Sequence, residues 1–196
     1  MPLVVIIPVK SFRSGKRRLH DTLDDRARQH LGVALAGHVA STVESAGHTP
    51  LIVTADREVA EWGTATGFPT LADPGHGLDA AASAGVEWAG HTNSEWLILH
   101  SDLPLLTTNE VEALTAPIGD GLSVLSPSSD GGTSAIGSRG QFPFAFGVAS
   151  FHRHLARLEG VVVVVRRGLA LDVDSAVDLD AALSTDSTQW LADAIR

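Results

Sequence analysis

The stretch Val4-Val5-Ile6-Ile7, stopped at once by Pro8, constrains this chain more than any other. A β-branched apolar run this short predicts a buried strand rather than a helix. Proline cannot donate to a sheet ladder, so the strand is expected to end there. A basic loop follows, carrying Lys10, Arg13, Lys16, Arg17 and Arg18 with no carboxylate before Asp21. The whole chain has a formal net charge of -9, so this cluster stands against its surroundings. Guanidinium and ammonium groups crowded into one turn suit an anion with several charges, such as a triphosphate. The plainer alternative is a solvated basic face.

Periodicity then predicts an alternation of helix and strand. Leu23, Ala27, Leu31, Ala34, Leu35, Val39 and Thr42 keep helical spacing behind an Asp24 or Asp25 cap, and Gly47 marks the stop. Leu51-Ile52-Val53 reads as a strand, Asp56 to about Ala65 as a helix, Thr70-Leu71 as a weak strand, Leu78 to Trp88 as a helix and Glu95 to Leu99 as a strand. Such alternation argues for an α/β fold with a mostly parallel sheet. Further on, Thr107 to Leu114 predicts a short helix and Leu122 to Leu125 a strand. Ser126 to Gly140, rich in Ser, Gly and Asp, predicts a functional loop or irregular hairpin. Phe142 to Gly147 predicts an aromatic strand, Ser150 to Leu158 a helix, Val161 to Val165 a strand, Ser175 to Leu183 a helix, and the tail one more helix around Trp190 and Leu191. With 196 residues and no linker or repeat, one domain over 1–196 with a three-layer core is expected.

Several classes are disfavoured. There is no cysteine, hence no disulfide framework and no thiolate metal site. None of the nine histidines pairs at the spacing of a helical zinc site. No apolar run nears the roughly 20 residues that span a bilayer, and no signal sequence is seen, so a cytoplasmic protein without membrane contact is expected. The acidic balance argues against nucleic-acid binding. The Gly-x-x-x-x-Gly-Lys-Ser/Thr, Gly-x-Gly-x-x-Gly and Gly-x-Ser-x-Gly signatures are absent.

Three further constellations join the basic loop as candidates. His100-Ser101-Asp102-Leu103-Pro104 follows a central strand at the edge where open α/β sheets bind ligands. A carboxylate there is placed to hold Mg²⁺, which takes one or two carboxylates plus phosphate oxygens; an Asp capping the next turn is the simpler reading. In Asp130-Gly131-Gly132-Thr133-Ser134, paired glycines let backbone N–H groups approach an anion and Thr133 adds a hydroxyl. In Asp172-Val173-Asp174, two acids on one side of a strand end suit a cation. Asp178, in the first turn of the next helix, reads as structural.

Together, Ile7-Pro8-Val9-Lys10, Lys16-Arg17-Arg18-Leu19, Asp102-Leu103-Pro104-Leu105, Asp130-Gly131-Gly132-Thr133, Phe146-Gly147 with Ser150-Phe151-His152-Arg153-His154, and Leu171-Asp172-Val173-Asp174 resemble the 2-phospho-L-lactate and phosphoenolpyruvate guanylyltransferases of coenzyme F420 biosynthesis. The resemblance covers roughly residues 3 to 183 and implies a nucleotide-diphospho-sugar-transferase-like fold, a Rossmann-like α/β/α sandwich. It implies transfer of GMP from GTP to a small three-carbon phosphorylated carboxylic acid, with release of pyrophosphate. Lys10, Lys16 and Arg18 are then expected on the triphosphate, and Gly77, Leu78 and Asp79 on the nucleotide. Thr133, Gly147 and Ser150 are expected on the acid, and Mg²⁺ on Asp102 and one or both of Asp172 and Asp174. The sequence departs from the family pattern at Asp79, Ser134 and Gly147-Val148-Ala149, where the family often has Asn, Asn and a Pro-Gly before the serine. A carboxylate at 79 can only accept, whereas an amide also donates. Alternative expectations are a nucleotidyltransferase for 3-phosphoglycerate or another phosphorylated acceptor, and a catalytically idle nucleotide-binding paralogue. A homodimer is left open.

Overall fold

The elements follow one another as β1 (Val4–Pro8), α1 (Asp25–Ser45), β2 (Thr49–Thr54), α2 (Arg57–Thr66), β3 (Thr70–Ala72), α3 (Leu78–Gly90), β4 (Glu95–Leu99), α4 (Thr108–Gly119), β5 (Ser123–Pro127), β6 (Thr133–Arg139), α5 (Ser150–Leu155), β7 (Val161–Val163), α6 (Arg167–Ala170), α7 (Ala176–Leu183) and α8 (Gln189–Ala194). They are those of a computed structural model, which describes residues 2–91 and 95–196. The helices start where a side chain can take up free backbone N–H groups. Asp24 accepts from Ala27 ahead of α1, Asp56 accepts from Glu58 and Val59 ahead of α2, and capping boxes open α4 (Thr107 with Glu110) and α7 (Ser175 with Asp178). Asp178 is therefore structural, as expected.

The seven strands form one sheet in the order β3-β2-β1-β4-β6-β5-β7. All neighbours are parallel except β6, which runs antiparallel to both β4 and β5. Because side chains alternate along a strand, β1 feeds two cores. Val5 and Ile7 pack with α1, α2 and α4 on one face, while Val4 and Ile6 pack with α3 on the other. That explains why its run is apolar without a break. A third cluster joins Leu19, Leu31 and Leu35 to Val173, Leu179 and Leu191, and so ties the basic loop to α7 and α8.

Two expectations are corrected and one alternative is resolved. Of the loop and the irregular hairpin expected over Ser126 to Gly140, the hairpin is found: β5 and β6 pair antiparallel with a register shift between Ser126 and Pro127. Small residues succeed in β6 because α4 packs closely over the strand; a Cβ on Gly137 would stand 2.4 Å from Ile118 Cδ1. Phe142 to Gly147 is not a strand. Its phenyl rings stack on one another and on Trp96 rather than presenting a ladder edge. Asp172 and Asp174 do not end a strand either; they lie in the irregular segment between α6 and α7. Among the described residues, no helix is long and apolar enough to cross a membrane.

This topology assembles one edge. β1 and β4 are parallel neighbours, and the chain departs from them in opposite directions across the sheet, which opens a crevice at their carboxyl ends. Being antiparallel, β6 delivers its first residue, Thr133, to the same edge, where His100 N donates to Ser134 O at 3.0 Å.

Gly85 lets α3 approach β1: a Cβ there would meet Ile6 Cγ2 at 2.4 Å. Ile6 is fully buried and cannot swing away. Gly85→Ala is therefore expected to destabilise the chain by about 1–3 kcal/mol, read as a lower urea midpoint. An unchanged midpoint would contradict the close packing of α3 on β1.

Candidate active site

Beyond Pro8 the chain must turn sharply, and it does so at Gly15, whose N–H donates to Ser11 O at 2.9 Å. Lys16 follows in the left-handed region, φ 52°, a conformation that costs a non-glycine residue about 1 kcal/mol or more. The strain is held by Leu19, which a 3₁₀ turn over Arg17–Leu19 drives into the core. The result is a lysine side chain aimed at the carboxyl end of β4. Its Nζ stands 2.5 Å from Asp102 Oδ2 and 3.0 Å from Asp174 Oδ1. Asp174 is brought there by the backbone: Val173, wholly buried, donates its N–H to Asp102 O at 3.1 Å.

The charges of this group depend on one another. Burial opposes the positive charge of Lys16, but Asp102 and Asp174 outweigh it and hold its pKa above the ordinary value. Burial likewise opposes the charge on Asp102, and the Lys16 ammonium and His100 overcome it, so its pKa is lowered. Asp172 has no such partner. Burial, with Asp102 and Asp174 adding repulsion, pushes its pKa up to about 6. Lys16 thus balances two of three neighbouring acids. Two buried atoms here have no hydrogen-bond partner, Asp102 Oδ1 and His100 Nε2; such atoms call for a missing partner.

A cavity of about 460 Å³ opens around this group. Lys10, Lys16 and Arg18 line it, with Asp102, Asp172 and Asp174, and so do Thr133, Gly147 and Ser150. Arg17 does not line it and faces solvent. Of the expected nucleotide segment only Leu78 reaches the cavity. Gly77 takes φ 93° to open α3, and the Asp79 Oδ1 accepts from Phe146 N at 2.7 Å. Asp79 therefore anchors the aromatic segment, so one oxygen is already committed at the position expected to recognise nucleotide. Arg153 holds the same segment from the other side, donating to Ala145 O and Phe146 O.

Thr133 and Ser150 touch, with Ser150 Oγ 3.1 Å from Thr133 Oγ1. Behind them lies a residue that the sequence reading quoted in the family-like stretch but gave no role. His154 is fully buried and bonds Thr133 Oγ1 through Nδ1 and Ala145 N through Nε2, each at 2.9 Å. His100, quoted beside Asp102 in the sequence but given no role of its own, packs its ring on Phe146 inside the cavity. Among the described residues, no three His, Cys, Asp or Glu side chains already converge as a metal cluster. The acids nevertheless fit a hard cation that completes its shell with ligand oxygens. Asp102 keeps an oxygen free, Asp172 stands uncompensated, and the place between Asp102 and Asp174 already holds a cationic group.

Residues 3–187 match the family described as guanylyl transferase CofC like. A phosphoenolpyruvate guanylyltransferase of Rubrobacter xylanophilus is 34% identical, with 97% of this chain and 98% of that protein covered. A 2-phospho-L-lactate guanylyltransferase of Methanothermobacter thermautotrophicus is 30% identical, covering 91% and 83%. A 3-phospho-D-glycerate guanylyltransferase of Colwellia psychrerythraea is 29% identical, covering 95% of each. Among solved structures, a Desulfovibrio desulfuricans protein assigned to the nucleotide-diphospho-sugar transferases superposes with a TM-score of 0.81 at 18% identity, covering 100% of this chain and 98% of that one. The expected fold is thereby confirmed.

The raised pKa of Asp172 has a stability consequence. Folded, it keeps its proton to about pH 6, whereas the unfolded chain loses it near the usual carboxylate value. The folded state binds more protons within that window, so stability falls as pH rises through it and stays lower above it. Asp172→Asn is expected to raise the melting temperature of the ligand-free protein at pH 7–8 by about 2–4 °C, discounting for partial exposure. Melting curves of the two proteins should converge near pH 4. A difference independent of pH would contradict the assignment.

Proposed function

Because this chain belongs to the CofC-like guanylyl transferase family, we propose that it transfers GMP from GTP to a three-carbon phosphoacid and releases pyrophosphate. Phosphoenolpyruvate and 2-phospho-L-lactate are the first candidates for the acceptor. 3-Phospho-D-glycerate is the alternative, and relatives carry the names of all three. The step belongs to coenzyme F420 assembly, and GTP as co-substrate suits the cytoplasm. One observation carries the reading. A single cavity is lined by a set of cations, Lys10, Lys16 and Arg18, by the acids Asp102, Asp172 and Asp174, and by a hydroxyl pair, Thr133 and Ser150.

The chemistry sets anion against anion. A phosphate oxygen of the acid attacks the α-phosphorus of GTP, a new P–O–P bond forms, and the bond from the α-phosphorus to the bridging oxygen breaks. Pyrophosphate departs with that oxygen. The attacking phosphate is already ionised near pH 7, so no general base is required. The work left to the protein is neutralisation and alignment. Lys10, Lys16 and Arg18 take the triphosphate side, and Thr133, Ser150 and the backbone at Gly147 take the acid. Asp102 with Asp172 or Asp174 would hold Mg²⁺, which when bound supplies positive charge to the phosphate oxygens. The Lys16 contacts to Asp102 and Asp174 keep these acids in place until phosphate oxygens arrive to share them.

The test is pyrophosphate release from GTP with Mg²⁺ and each of the three acids in turn. One acid should support rapid release; no release with any would remove the reading. Alongside it, GTP titrations at one ionic strength should separate four variants. Lys10→Ala, Lys16→Ala and Arg18→Ala are each expected to weaken GTP binding by more than the roughly 0–1 kcal/mol of an exposed charge pair. Arg17→Ala should change little. Four equally mild effects would mean that the triphosphate lies elsewhere.

A further inference from the structure

His154 has no task in the reaction just described, yet its two hydrogen bonds, behind the cavity residue Thr133, fix where its proton sits. Its Nε2 stands 2.9 Å from the Ala145 amide nitrogen. A backbone N–H can only donate, so Nε2 must be the bare, accepting nitrogen. In a neutral imidazole the proton then sits on Nδ1, 2.9 Å from Thr133 Oγ1. The ring therefore donates to the threonine. Ser150 Oγ donates to the same oxygen at 3.1 Å.

A hydroxyl has two lone pairs and one proton. Both lone pairs of Thr133 are now occupied, and its own proton has no acceptor among the described residues. Thr133 lines the cavity, so that proton is directed at whatever fills it. Were the Thr133–Ser150 bond reversed, Ser150 would carry the outward proton, and the pair would still offer one donor. We propose that His154 is a positioning residue that sets the polarity of the acid subsite. By holding its Nδ1–H on Thr133 it makes the Thr133 hydroxyl a dedicated donor to an anionic oxygen of the phosphorylated acid. The inference rests on the reading of Thr133 as an acid-binding residue.

Two features keep the polarity from reversing. Burial is the largest influence on the ring, and it brings the His154 pKa down to about 4, so the ring stays neutral at physiological pH. The segment that supplies the Ala145 N–H is itself clamped, through Asp79 on Phe146 N and Arg153 on Ala145 O. A Thr133 hydroxyl that can only donate suits a carboxylate or phosphate oxygen and gives no return bond to a hydroxyl proton. It thus selects for the charged end of the acceptor.

The tautomer is read directly by long-range ¹H–¹⁵N correlation on the labelled, full-length protein at pH 7. The pattern of a protonated Nδ1 and bare Nε2 is expected for His154; a protonated Nε2 would overturn the proposal. Two variants then separate donor from anchor. His154→Asn places an amide N–H near the Nδ1 position and gives up the Ala145 contact. His154→Gln places an acceptor near the Nε2 position and leaves Thr133 without its donor. His154→Gln should raise the KM for the acid about tenfold or more, while the KM for GTP holds. His154→Asn should stay within about threefold of the parent. The reverse order would mean that His154 only ties down the aromatic segment, and the proposal would fall. Absence of guanylyl transfer in the parent protein would instead strike the functional reading, and the tautomer measurement would still decide the arrangement of the ring.

Discussion

The ammonium of Lys16, seated between Asp102 and Asp174, is the contact on which the site depends. It joins residues 86 and 158 positions apart in the chain. Three segments meet there: the turn after β1, the exit of β4 and the segment between α6 and α7. Lys16 and Asp102, both largely buried, could not hold their charges alone, since an unpaired buried ion is costly. The left-handed backbone at Lys16 fits this picture, because strain persists where surroundings over-determine it. The second non-glycine residue with positive φ among those described is Ala149, immediately before Ser150. Both strained positions thus flank the same cavity, one on the side of the cations and one on the side of the hydroxyl pair.

The cavity has two halves built by opposite strategies. The half with Lys16 works by charge, and its acids are left partly unsatisfied: Asp102 keeps a free oxygen and Asp172 is forced upward in pKa. Unfavourable groups of this kind lower the stability of the free protein and are relieved when a ligand supplies opposite charge. The half with Thr133 works by saturation. There every polar atom around His154 has its partner, and only one hydroxyl proton remains to be given away. The antiparallel direction of β6 is what places the second half beside the first.

Much of this was legible in the sequence. The first four strands and three helices were readable because β1 to β4 alternate with periodic, well-capped helices, so local pattern and tertiary environment agree. Agreement falters at Thr133–Arg139, where a Ser- and Gly-rich segment reads as either loop or irregular hairpin and forms β6 close under α4. It fails at Phe142 to Gly147, where aromatic residues promise a ladder but spend their surface on ring packing. Lys10, Arg18, Asp102 and Thr133 were found from their types and their places in the chain, Ser150 from the family resemblance, and the structure gathers them at one cavity. The pairing of Lys16 with acids was not foreseeable, since nothing local links positions so far apart. His154 was overlooked because the histidines were tested only as a metal set. The signal available was a histidine four residues after Ser150, on the same face of the next turn.

The central claim is that the acids beside Lys16 and the cations of the opening loop form one site, in which a divalent ion and a triphosphate bind together. Calorimetric titration of GTP into the protein and into Asp102→Asn, each with and without Mg²⁺, measures that coupling most directly. The account predicts that Mg²⁺ tightens GTP binding to the parent protein by about tenfold or more and that Asp102→Asn abolishes the gain. Equal tightening in both proteins, or none in the parent, would contradict it.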